Sequence, residues 1–330
     1  MRKVLIYIFL ICSFHTAYSQ VSPTTSGFAL KDSSFLFKLD SAITYYDTEK
    51  LKIWTKGGEA IITLSQISFT NWSAGGENSI SGIGNLNIYA NRKKGKNTWD
   101  NNFILVYGLL SQGGDIRKTD DRIDILSQVN RFIKNEWYYS FMIHFNTQIR
   151  PGYNYPNDSV IISNFMAPGY ILTTMGWEYR PSKKLKFTIA PLSGKITIVA
   201  DQNLANKGAF GVIQGTLDEV GEFFETLGKN LKYEFGAFAK FIYSGKVTNN
   251  FRLNSKLDLF TAYNKNFGNI DVDWQAEAKF QFTQVISMNV FTHLIYDDDV
   301  KTKISDTGEV LKGAKVQFKE QIGFGFTFRF

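Results

Sequence analysis

The sequence predicts an all-β protein: a transmembrane, antiparallel, up-and-down β-barrel of about twelve strands, with ten to fourteen as the bounds. Three observations carry this. Apolar and polar residues alternate with a period of two along most of the chain. The connections between the alternating segments run short, then long, in turn. The last segment, from Gln321 to Phe330, sets Ile322, Phe324, Phe326, Phe328 and Phe330 on one face and Gly323, Gly325, Thr327 and Arg329 on the other. An α-helix would spread such residues around its circumference, whereas a strand sorts them onto two faces.

Taken in order, the chain opens with an export signal over residues 1–19. Arg2 and Lys3 form its basic start, Val4 to Phe14 its apolar stretch, and Ala17-Tyr18-Ser19 the small residues before cleavage. The stretch falls short of the ~20 apolar residues of a spanning helix. Its removal takes away Cys12, the single cysteine, and leaves 35 Lys and Arg against 30 Asp and Glu. A cysteine-free chain excludes a disulfide scaffold and cysteine-based zinc sites. The mild positive charge does not predict nucleic acid as a partner. No later apolar run reaches 18 residues. An exported chain of this kind is either soluble or a barrel, because helices and closed barrels are the two ways of spanning a bilayer.

Residues 20–58 do not join the alternation and read as a periplasmic or plug-like segment, and the barrel is expected over 59–330. Twelve strands are predicted, at 59–72, 79–92, 99–111, 121–134, 137–150, 167–180, 185–199, 230–243, 246–262, 269–283, 285–296 and 315–330. Residues 137–150 show the pattern well. Trp137, Tyr139, Phe141, Ile143, Phe145, Thr147 and Ile149 share one oily face, and Tyr138, Ser140, Met142, His144, Asn146, Gln148 and Arg150 the other, mostly polar one. In the first strand the apolar parity changes between Ile62 and Ile67, which predicts a bulge. The short connections fall at 93–98, 135–136, 181–184, 244–245 and Gln284. The longer ones fall at 73–78, 112–120, 151–166, 200–229, 263–268 and 297–314. The tight turns are expected on the periplasmic side and the long loops outside. Two aromatic girdles follow: Trp99, Trp137 and Trp177 near the periplasmic ends, and Trp72, Tyr170 and Trp274 near the outer ends.

With the oily face toward lipid, the polar face lines the interior. The lumen-lining candidates are His144, Arg150, Lys232, Glu234, Lys240, Arg252, Lys256, Asp258, Asp271, Asp273, Glu277, Lys279, His293, Lys319 and Arg329. Charges of both signs suit either a salt-bridged plug or a narrow polar channel. No catalytic, cofactor-binding or metal-binding residue is predicted. The two histidines of the mature chain, His144 and His293, face inward, away from where an outer-wall Ser–His hydrolase would need them. Asp297-Asp298-Asp299 reads as a solvated loop entrance; the competing reading is a divalent-cation bridge to lipopolysaccharide. In the longest loop, residues 219–227 read as a short amphipathic helix.

The last strand resembles the signal read by barrel-assembly machinery, carried here by Gly323, Phe326, Phe328 and Phe330. Further blocks carry a family resemblance. Residues 66–78, QISFTNWSAGGEN, resemble the signature of a Bacteroidota outer-membrane family, domain of unknown function 3078. So do the stretches beginning at Lys118, Ala190, Leu204 and Tyr296. The resemblance runs from about Trp54 to Phe330 and implies an outer-membrane barrel, with no substrate or catalytic residue attached. The functional expectation is a narrow pore or small-solute transporter; the rival is a non-conducting partner subunit of an envelope assembly, with a lipid-modifying enzyme or a soluble lipid carrier behind both. Expected partners are outer-membrane lipid and lipopolysaccharide, the barrel-assembly machinery and an envelope protein.

Overall fold

The structure is a computed structural model that describes residues 53–68, 78–154, 158–218, 224–264, 267–297, 299, 303–304, 310–312 and 314–330. Twelve antiparallel strands close into one barrel. They are β1 (Trp54–Ile67), β2 (Ser79–Lys94), β3 (Asn97–Gln112), β4 (Asp115–Phe132), β5 (Trp137–Thr147), β6 (Gly169–Ser182), β7 (Leu185–Ile198), β8 (Leu231–Lys246), β9 (Phe251–Ala262), β10 (Asp271–Gln281), β11 (Ile286–Tyr296) and β12 (Gln317–Arg329). Each strand pairs with its neighbours in sequence, and β1 pairs with β12 to complete the ring, with Glu59 opposite Arg329 and Ile62 opposite Phe326. Closure removes the unpaired edges that lipid cannot satisfy.

The burial of side chains follows the alternation. On β10, Gln275, Glu277 and Lys279 are buried toward the interior, while Trp274 and Phe280 face out. On β12, Phe318, Ile322, Phe324, Phe326 and Phe328 face out, and Gly323, Gly325 and Thr327 face in. Charges on the outer wall keep to its margins, as with Arg92 and Arg131 near the tight turns. Aromatic side chains gather at the same rim: Trp54 lies 5.7 Å from Trp99, Trp137 stacks on Tyr179 at 4.9 Å, and Phe251 stacks on Phe280 at 4.6 Å. Tyr170, expected in the opposite girdle, points inward instead, in step with the buried Thr174 and Glu178 of its strand. Trp274 does face out, donating its indole N–H to Ser255 at 3.1 Å. Trp72 lies outside the described residues.

Three local expectations are corrected. First, β1 begins at Trp54, so residues 54–58 belong to the barrel, and it runs beside β2 to Ile67 without a register shift. Ile61 is an apolar residue on the inner face, buried with Ile83, Ile104 and Val106, and the side chain of Ile67 lies outside the described set. Second, the connection expected over 112–120 is a two-residue turn, Gly113-Gly114, at the tip of a long hairpin. The register there slips one residue beyond Gly108, which pairs with Asp120, while Leu109 pairs with Lys118. Both glycines adopt positive φ, 60° and 96°, as a tight turn requires. Third, Phe224–Thr226 in the longest loop is a strand that pairs with Thr216–Leu217, not part of a helix, and residues 219–223 lie outside the described set.

A bulge does occur, in β7. Met175 pairs with Leu192 and Trp177 with Ile189, so Gly176 faces two residues, Ala190 and Pro191. Proline has no N–H for the ladder and is tolerated where an extra residue leaves the pairing. The bulge reverses parity: Thr188 and Ala190 are inward before it, Ser193 and Thr197 after it. It also forces the partner backbone close, since a Cβ on Gly176 would sit 2.1 Å from the Ile189 carbonyl oxygen. Gly176→Val is therefore expected to cost about 3 kcal/mol. The check is loss of the compact, heat-modifiable band on electrophoresis together with a lower denaturant midpoint.

Candidate functional site

Among the described residues the interior collects ionisable side chains, and their arrangement is layered. At the rim bearing the long loops, Lys195 of β7 and Lys232 of β8 sit at the centre of an ionic lattice. Lys195 Nζ lies 2.9 Å from Asp271, 3.2 Å from Asp297 and 3.8 Å from Glu234. Lys232 Nζ lies 2.6 Å from Asp299 and 3.0 Å from Glu234. Glu234 and Asp271 belong to strands, but Asp297 and Asp299 belong to the loop after β11. The Asp299 N–H donates to Asp297 Oδ1 at 3.0 Å, which folds the loop entrance inward. The acidic run that reads as solvated in sequence thus spends two of its carboxylates on lysines of the far strands.

The longest loop arrives at the same place. Asp201 caps a short helix, Gln202–Asn206, by accepting from the N–H groups of Asn203 and Leu204. Leu204, Ala205 and Val212 are buried with Val199 and with Ala167 of the preceding long loop. That small core holds Gly211 so close to the lattice that a Cβ there would lie 3.1 Å from Asp299 Cβ and 3.4 Å from Lys232 Nζ. Gly211 has φ of +79°, so its backbone also favours glycine. Two loops and two strand lysines therefore meet over one part of the mouth.

Beneath this lattice, Leu126, Met142, Ala190, Phe238, Phe260 and Ala262 form an apolar cluster within the barrel, with Leu172 packed on it. Cations bracket it: Lys195 Nζ lies 5.4 Å from the Phe260 ring, and Lys240 Nζ 5.4 Å from the Phe238 ring. Lys240 also reaches Met142 Sδ at 3.7 Å, which ties β8 to β5 through the interior. Nearby, Lys256 pairs with Asp258 at 3.1 Å. His144 Nε2 lies 3.0 Å from Asp124, and His293 Nε2 3.1 Å from Asp273. Toward the turn rim, Glu178 pairs with Arg180 and accepts from Gln128 at 2.9 Å and Thr188 at 3.3 Å. Glu277 accepts from Asn254 at 3.1 Å. Paired and hydrogen-bonded charge of this kind is the form in which ionised groups tolerate burial.

Most of the predicted interior residues thus sit on the inner face, and five are placed one by one. Arg252 and Lys279 are inward, opposite each other in register. Lys319 reaches Asp120 on β4 at 3.3 Å. Arg329 faces Glu59 in backbone register, but its side chain lies outside the described set. Arg150 is not on a strand wall at all. β5 stops at Thr147, because Asp121 accepts from the N–H groups of Ile149 and Arg150 at 2.8 and 2.7 Å and turns the chain away. Its exposed guanidinium instead approaches the Tyr107 hydroxyl at 3.4 Å. Lys195 escaped the sequence reading because parity counted through Pro191 puts it outside. A proline in mid-strand was the available sign of the bulge that turns it in.

The family model described as a protein of unknown function (DUF3078) matches residues 64–153, a narrower span than the resemblance from Trp54 to Phe330. No curated protein matches the sequence. Among solved structures, the chain is similar to the COG4313 outer membrane channel from Pseudomonas putida F1, with 11% identity and a TM-score of 0.41, over 87% of this chain and 100% of that one. It is similar to the NanC porin, with 10% identity and a TM-score of 0.35, over 82% and 98%. The translocator domain of the autotransporter NalP from Neisseria meningitidis shows 9% identity and a TM-score of 0.33, over 88% and 94%. At these values the likeness concerns the barrel fold alone.

Proposed function

We propose that this chain is an outer-membrane channel for small polar solutes, exported by the signal at 1–19, with a periplasmic or plug-like segment before the barrel and the long loops outside against lipopolysaccharide. One observation carries the reading: the closed barrel turns a nearly uncharged apolar wall outward and an ionic, hydrogen-bonded wall inward. That is the division a bilayer imposes on a barrel with a polar interior. In this reading Gly323, Phe326, Phe328 and Phe330 present the last strand to the barrel-assembly machinery. Reconstituted in planar bilayers, the protein is expected to give small stepwise conductance. A well-inserted but silent protein would overturn the channel.

The apolar cluster inside β4–β9 favours one second reading, a non-conducting barrel that serves as a partner in an envelope assembly. Purification in mild detergent separates the two, since a silent barrel that retains a stoichiometric envelope protein belongs to the second.

A further inference from the structure

We infer that the inner wall carries an anion-binding site at Arg252 and Lys279, built for the carboxylate or phosphate group of a small solute. Arg252 of β9 stands opposite Lys279 of β10, Lys279 opposite Asn289 of β11, and Asn289 opposite Gly323 of β12. All four fall on the inward face of adjoining strands, toward the tight-turn rim for Arg252 and Lys279. Like charges placed directly opposite across two strands repel. No described carboxylate makes an ion-pair contact with either residue, and the buried Lys279 Nζ has no hydrogen-bond partner.

Of the acids on these strands, Asp258 and Asp273 are committed elsewhere. Glu277, on the same face of β10, accepts from Asn254. Asp258 is held by Lys256, and Asp273 by His293 and by Gln275 at 2.8 Å. A buried lysine beside a like charge, with no carboxylate in contact, is costly, and an anion that bridges Lys279 and the half-buried Arg252 removes the repulsion and the lost hydrogen bond together. Arginine offers a planar fork and lysine a point charge, the donor set that carboxylates and phosphates take. Asn289 is 1% exposed, and its Oδ1 has no partner while its Nδ2 donates to Ser287 at 3.3 Å. Its amide ends are interchangeable in placement, so it can present N–H to the anion and accept from the serine. Gly323 ends the row without a side chain.

The site deepens the channel reading by naming the class of solute, and its test does not depend on conductance. Binding of inorganic phosphate, and separately of acetate, to the detergent-solubilised full chain is measured by calorimetry at constant ionic strength. Wild type is expected to bind. Arg252→Gln/Lys279→Gln should weaken binding roughly 30-fold or more, the loss of charge-assisted contacts, while Lys279→Arg retains it. In chloride the double variant should melt no lower than wild type, because the repulsion is gone. Wild type that binds neither anion, or a folded double variant that binds equally well, overturns the site. So does a loss that follows Lys195→Gln/Lys232→Gln instead. A barrel that conducts but binds neither anion sinks this inference alone, and one that binds but stays silent sinks the channel alone.

Discussion

Phe141→Arg is expected to lower stability in phospholipid vesicles by about 2–4 kcal/mol, the depth-dependent cost of a cation near the bilayer midplane on a barrel wall. Phe141 is half-exposed on the outer face of β5, flanked in register by Val129 of β4 and Met175 of β6. None of these neighbours offers a counter-charge or a hydrogen bond, and the strand's turn-side end at Trp137 is two residue pairs away along the same face. A long side chain there reaches water only by distorting the lipid around it. Depth supplies the control. Ile286→Arg sits on the same outer wall, but at the first residue of β11 beside the tight turn. Its cost should be about 0–1 kcal/mol, because the headgroup region solvates it.

Denaturant titration of vesicle-inserted protein, followed by tryptophan emission, measures both. Equal costs at the two depths would mean that no hydrocarbon layer faces β5. The same pair distinguishes the alternative in which the apolar face is turned to a partner or to a soluble lipid. A protein interface penalises a charge by local packing, not by its height on the wall.

How far the sequence carried this architecture depends on how local each signal is. Strand identity was legible because alternation is a property of a few successive residues, as from Trp137 to Ile143. Closure was legible because strand number and loop rhythm leave little else for a chain in which no described helix is long and apolar enough to cross a membrane. What escaped reading needs partners distant in sequence. Lys195 was hidden by the Pro191 bulge, which flips every later side chain of β7 to the opposite face. Tyr170 looked like a girdle residue because an aromatic in a strand end is compatible with either face. Asp297 and Asp299 looked solvated because their partners, Lys195 and Lys232, lie 102 and 67 residues away. The apolar interior residues Ile61 and Phe238 ran against the pattern for the same reason. Each packs on residues of other strands, as Ile61 does on Ile83 and Phe238 on Phe260.

That long-range lattice makes the second large prediction. Asp297→Asn/Asp299→Asn is expected to raise the open probability of the reconstituted barrel about 30-fold, from the loss of two ion pairs at ~1 kcal/mol each. The strand carboxylates Glu234 and Asp271 stay in place, so Lys195 and Lys232 keep counter-ions and the wall itself is unchanged. Only the loop contacts weaken, and asparagine preserves the shape of both side chains. Lys195→Gln/Lys232→Gln removes the same contacts from the other side and should open the barrel as well. It also leaves Glu234, 5% exposed, without either cation, so it should cost more stability than the aspartate variant does. High salt should mimic the aspartate variant in part, because the four groups of the latch are 11–20% exposed and within reach of mobile ions. Restoring the attraction in reverse, with Lys232→Asp combined with Asp299→Lys, should return the low open probability. If single-channel records of the aspartate variant match wild type at every salt concentration, the loops rest on the mouth through the Leu204–Val212 core alone and the ionic contacts do not hold them.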